Sequence, residues 1–170
     1  KSGSAEVDAL IREARGQLDQ IAAANDAIAD PALSRQIEDI EATCRQILQR
    51  LEEQPNMLSQ LRTFLRYYLP ATLKLLNARA ALEAEVNAGG SPQIAARIAK
   101  AVGEVQSAFH KQLDALNEFR FINLESEMDV LADMLKSDGL TAEPDAPAVA
   151  KEEPQEDDPF ASLFAKGEKK

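Results

Sequence analysis

Apolar residues recur at helical spacing in four stretches of this chain. The first runs Val7, Leu10, Ala14, Leu18, Ile21 and Ile28. The second is Leu33, Ile37, Ile40, Cys44, Ile47 and Leu51. The third is Leu58, Leu61, Leu65, Tyr68, Leu73 (or Thr72), Leu76 and Ala80. The fourth is Ile94, Ile98, Val102, Val105, Phe109, Leu113 and Leu116. No stretch alternates as a strand would. Prolines mark the joints. Asp30-Pro31 reads as N-cap and first helical residue, where the missing N–H costs nothing. Ser91-Pro92 repeats the device after Gly89-Gly90, and Pro55 separates the second stretch from the third. The fourth pattern stutters near residues 120–123, so Asn123 is expected to cap a fifth helix over Leu124–Ser137. Gly139 then supplies the left-handed residue after that helix, and Leu140 the hydrophobic contact. Short joints imply antiparallel neighbours. The fold class is all-α: an elongated antiparallel helical bundle of four to five helices over residues 5–140.

Pro70, in "RYYLPATLKLL", interrupts the third stretch. A new helix starting there would want Ser, Thr, Asp or Asn before the proline, and Leu69 is a poor cap. The apolar stripe keeps its phase from Leu65 and Tyr68 to Leu73 and Leu76. The expectation is therefore one continuous helix, kinked where Pro70 removes the bond to the Arg66 carbonyl, at about 3 kcal/mol in a plain helix. Such a kink either wraps the helix around the bundle or re-aims Tyr67, Tyr68 and the flanking basic residues.

Composition sharpens this picture. Of 170 residues 45% are apolar but only 5% aromatic, with no Trp, so the core is built from Leu, Ile and Ala. The net charge of −10 argues against nonspecific binding to nucleic acid or an anionic membrane. No run approaches the roughly 18 apolar residues of a membrane span. No signal peptide is visible, and the chain opens at Lys1 rather than Met, which leaves room for an N-terminal anchor ahead of it. Any membrane association would run through that segment. Cys44 is the single cysteine, which fits a reducing cytosol. Beyond Leu140 the composition shifts: residues 141–170 hold four of the eight prolines, and eight acids against four lysines. Such a segment reads as a disordered acidic tail. Within it, "DDPFASLF" places Phe160, Leu163 and Phe164 at helical spacing behind Asp158 and Pro159, as a peptide that folds into a partner's groove or docks weakly on its own bundle.

Candidate chemistry is sparse. Cys44 to Arg50 is formally C-x5-R, but a phosphate-cradling loop needs glycines and exposed N–H groups, and "CRQILQR" lies mid-helix on the apolar stripe. No G-x-x-x-x-G-K-[ST] or G-x-S-x-G motif occurs. His110 is the lone histidine and reads as a surface or satisfied residue. Glu38, Asp39, Glu41, Glu52 and Glu53 meet no metal-ligand spacing and read as a solvated face. No catalytic residue, metal or cofactor is assigned. One feature is less bland. Between Gln54 and Leu82 there is no acid, yet Arg62, Arg66, Lys74 and Arg79 are present. Either these pair with the acidic second helix, or with Tyr67 and Tyr68 they form an anion or partner site beside Pro70.

At this stretch the sequence resembles a family. "LRTFLRYYLPATLKLLNARAAL" (Leu61–Leu82) resembles the signature of the bromo-chloroindolyl phosphate hydrolysis proteins, the XpaC-like family, with its YYLP core and Leu-rich turn. "ADPALSRQIEDIEATCRQIL" (Ala29–Leu48) resembles the family's upstream helix, and "LESEMDVLADMLKSDGL" (Leu124–Leu140) its C-terminal helix with the closing DGL. "NARAAL" departs from the pattern, placing Arg79 and alanines where many members continue the aromatic run. The resemblance implies association with toxic-anion (tellurite) resistance proteins and a protein partner of the TelA-like kind. It also implies a cytoplasmic setting at the inner face of the membrane. It carries no catalytic residues. Two functions follow: a non-enzymatic scaffold or adaptor, or the phosphate-ester hydrolase or phosphate-binding protein that the family name suggests.

Overall fold

The computed structural model describes residues 1–141, which are helical with no strand among them. The acidic tail expected over 141–170, with its Phe160, Leu163 and Phe164 motif, lies outside the described residues but for Thr141. Helix α1 spans Ala5–Asp26. Ser4 caps it by accepting from the Val7 N–H, and Glu6 and Asp8 place negative charge at the positive end of its dipole. Helix α2 spans Pro31–Glu53, and Asp30 Oδ1 accepts from the Ala32 and Leu33 N–H groups as the sequence predicts. A 3-10 turn over Pro55–Met57 leads into α3, Leu58–Thr63. The short α5, Glu83–Asn87, was not foreseen. Helix α6 spans Pro92–Ser137, but Ser91 does not cap it with its side chain. Its backbone is left-handed (φ 55°), as the chain reverses after Gly89 (φ 86°).

Helix α3 continues without a break through a π-helical turn, Phe64–Tyr68, into α4, Leu69–Ala81. The helix does run through Pro70. The accommodation is a widened turn just upstream, in which the Leu69 N–H reaches back five residues to the Phe64 carbonyl. A proline ring presses on the carbonyl four residues before it, and one extra residue in the turn moves that carbonyl aside. Thr72 Oγ1 also donates to the Tyr68 carbonyl (2.8 Å), a bond that tends to bend a helix. Two adjacent residues of this turn, Phe64 and Leu65, are both buried in the core.

Helices α1, α2, α4 and α6 form the bundle. Helix α1 packs between α2 and α4, α2 packs on α6, and α4 closes against α6. All six apolar positions of the second stretch are buried. The Phe109 ring of α6 meets Phe64 edge to face, centroids 4.9 Å apart and planes at 65°.

The expected break at Asn123 is absent. Helix α6 is one helix of 46 residues, about 69 Å long, against 23 residues and about 35 Å for α2. No glycine or proline lies between Asn117 and Ser137, so nothing turns the chain and Asn123 has no helix start to cap. The stutter marks where α6 leaves the bundle: Leu116 is its last buried residue and Phe119 its last to pack against the core. Its end closes as read from the sequence. Gly139 is left-handed (φ 71°), and the Gly139 and Leu140 N–H groups bond the Lys136 and Leu135 carbonyls, a Schellman motif.

Candidate functional site

The acid-free segment finds its counter-charges outside itself, and on different elements from the one expected. Arg62 pairs with Glu6 of α1 (2.8 Å), not with α2, because α1 is the helix packed beside this unit. The hydrogen bond from Arg62 holds the Glu6 carboxyl below its ordinary value, and the nearby Arg66 charge lowers it further. Arg79 is 3% exposed and bonds Glu83 one turn on at 2.7 Å, so it is withdrawn from any surface site. Glu83 also accepts from the Ala29 N–H, tying the end of α4 to the α1–α2 loop. Burial pushes the Glu83 carboxyl up, but the bonds from Arg79 and Ala29 outweigh it and leave the group lowered. Tyr68 is half-buried against the core. Arg66, Lys74 and Tyr67 remain exposed beside the π turn, the two cations without an ion pair among the described residues.

The candidate nucleophile and ligands are otherwise engaged. Cys44 is fully buried, and burial pushes its thiol up to about 12. It is therefore expected to resist a thiol reagent such as dithionitrobenzoate in the folded protein and to react at once in denaturant; fast labelling without denaturant would contradict its burial. His110 Nε2 lies 2.6 Å from Asp39 Oδ2 across the α2–α6 interface. Asp39 also accepts from Gln106, and these two bonds hold its carboxyl low, Gln106 contributing most. Glu41 faces Arg45 and Glu52 faces Arg15. No group of three or more metal-ligating side chains converges among the described residues, and no helix there is long and apolar enough to cross a membrane.

The most distinctive surface is one the sequence reading assigned to the bundle. Past Phe119, α6 no longer packs against the core. Phe121, Leu124, Met128, Val130, Leu131 and Met134 are each more than half exposed. Phe121, Leu124, Met128, Leu131 and Leu135 follow alternating steps of three and four, the seam of a helix that packs on another helix. Six acids against two bases flank them over residues 118–138. Where α6 leaves the bundle, a cleft of about 660 Å³ opens between it and the end of α2. Arg50, Gln54, Asn56, Asn117, Arg120 and Phe121 are among its lining residues. Neither arginine forms an ion pair among the described residues, and Arg50 Nε is buried without a hydrogen-bond partner. The available signal was arithmetic: four apolar stretches already fill a four-helix core, and the fifth has no stripe left to face.

Known proteins bear on this arrangement through one comparison. Neither the curated proteins nor the solved structures contain a match to the chain. The sequence model of a family described as "5-bromo-4-chloroindolyl phosphate hydrolysis protein" matches residues 4–131. That span takes in the capped start of α1, the π turn with its YYLP sequence, and α6 well past the bundle. The chain therefore belongs to the 5-bromo-4-chloroindolyl phosphate hydrolysis protein family.

Proposed function

We propose that this family member is a scaffold or adaptor. The bundle presents the free end of α6, and a helix of another protein packs along it. The observation that supports this reading is the row of large apolar side chains left in water beyond Phe119. Burying one Leu or Phe side chain contributes roughly 1.5–3 kcal/mol, and monomers seldom leave a contiguous apolar patch uncovered. A toxic-anion-resistance protein of the TelA-like kind, in a bacterial tellurite response, is the partner we put forward. Arg66, Tyr67 and Lys74 offer it a second, smaller contact.

Calorimetric titration of that partner tests the reading. The double variant Leu124→Glu/Leu131→Glu is expected to unfold within about 0.5 kcal/mol of wild type, since both sites are exposed. Its affinity should fall by roughly a hundredfold or more. Arg66→Glu/Lys74→Glu should lose far less. If the second variant abolishes binding and the first does not, the partner sits at the π turn. If wild type binds no such protein, this adaptor role fails.

Direct hydrolysis of a phosphate ester is the second reading, and the family's description favours it. Turnover of 5-bromo-4-chloroindolyl phosphate by purified protein, abolished by one substitution at Arg50 or Arg120, would establish it.

A further inference from the structure

The free end of α6 is electrically polarised along its length. At its base, the cleft balances the guanidinium groups of Arg50 and Arg120 against the carboxylates of Glu53 and Glu127, with the amides of Gln54, Asn56, Asn117 and Asn123 among them. Arg50 Nε is shielded from water with nothing to donate to, a condition that buried donors rarely tolerate. Toward the tip acid prevails, with Asp133 and Asp138 beside Lys136. Every helix is polarised in a matching way. Its last turn exposes carbonyls without partners and a partial negative charge; its first turn exposes N–H groups and a partial positive one.

We infer that the partner is a basic amphipathic helix lying antiparallel to α6, its C-terminal turn seated between Arg50 and Arg120 and its N-terminal turn beside Asp133 and Asp138. This rests on the adaptor reading and adds the partner's charge and direction. Lys and Arg residues flanking its apolar stripe would face Glu125, Glu127 and Glu53. Glu53 and Glu127 line the cleft as well, so basic side chains in the partner's last turn also find carboxylates there. From Arg120 to Ser137 the track spans about 26 Å, which a helix of about 17 residues covers. A second copy of this chain fits less well than a basic helix, because its own six acids against two bases over residues 118–138 leave the excess negative charge of this face uncompensated.

The probe is a pair of synthetic helical peptides of that length with Leu at steps of three and four. One carries Lys and Arg flanks and the other Glu flanks. Each is made with a nitroxide at its N- or C-terminus and added to the isotope-labelled protein. The basic peptide is expected to bind at least about tenfold more tightly than the acidic one. Its C-terminal label should broaden the amides of residues 54–56 and 117–120, and its N-terminal label those of residues 133–139. Arg50→Gln/Arg120→Gln should weaken it roughly tenfold, with wild-type helicity by circular dichroism. The opposite pattern, or both patterns at once, overturns the inference and leaves the adaptor reading standing. Equal affinity for the two peptides overturns the charge argument. Binding of neither peptide sinks inference and adaptor reading together. So does self-association of the chain alone that Leu131→Glu abolishes, since it puts a second copy on this face.

Discussion

Truncating Phe109 to alanine is expected to lower the unfolding free energy by about 3–5 kcal/mol, the usual cost of deleting a fully buried aromatic ring. Phe109 has no exposed surface, and its ring meets that of Phe64 at 65° and 4.9 Å. Such edge-to-face pairs are worth about 0.5–1.5 kcal/mol beyond the area they bury. Phe64 sits on the π turn, so the cavity would open where the widened turn faces α6. Urea denaturation measures the effect as a lower midpoint with an unchanged slope. Phe64→Ala should cost a similar amount, and the double variant less than the sum, because the rings share one contact. Phe121 is the internal control. It lies twelve residues further along the same helix but is 66% exposed, and its truncation should change stability by no more than about 0.5 kcal/mol. Equal losses at Phe109 and Phe121 would mean that the end of α6 is covered in the free protein.

The Arg79–Glu83 pair carries the second large effect. Glu83→Ala leaves a guanidinium that is 3% exposed without its carboxylate, and breaking a buried pair in this way costs about 3 kcal/mol or more. Glu83→Gln keeps one acceptor oxygen, enough for either the Arg79 or the Ala29 donor but not both, and should cost less than Glu83→Ala. The exposed Arg62–Glu6 pair should matter little, since water and salt screen it. The pH dependence follows from the lowered Glu83 carboxyl. Its contribution is complete above the ordinary value of 4.5 and is lost as pH falls through the lower value it has when folded. Glu6 and Asp39 are lowered too and act in the same direction. Wild type should therefore lose stability below about pH 4.5, and Glu83→Ala should lose less over that range. A larger acid loss in the variant would contradict the pair's role.

The start of α2 and the end of α6 were legible because they depend on local chemistry, whereas Ser91 does not cap α6 with its side chain and Asn123 starts no helix. Asp30 before Pro31 and Gly139 before Leu140 do in the structure what their side chains and backbone freedom dictate. The core face of α2 was legible for the same reason: a period of 3.6 needs only its own sequence. The π turn was not, since the spacing around Pro70 is compatible with a simple kink and the shift to five-residue bonding shows only in the backbone, where the Leu69 N–H reaches the Phe64 carbonyl. The burial of Arg79 was hidden because Glu83 lies just past the acid-free stretch, and its tie to Ala29 joins residues 54 positions apart. The free end of α6 was misread because an apolar stripe reports that a face wants covering, not that its own chain covers it.

Amide hydrogen exchange along α6 is the most direct test of the claim that its far end is a docking surface. In the free protein, residues 98–116 should exchange near the global unfolding limit, and residues beyond Phe119 far faster through local fraying. Adding the basic helical peptide should slow exchange over residues 120–137 and leave the π turn unchanged. Uniformly slow exchange of the whole helix in the free protein, or slowing confined to Arg66–Lys74 on binding, would contradict it.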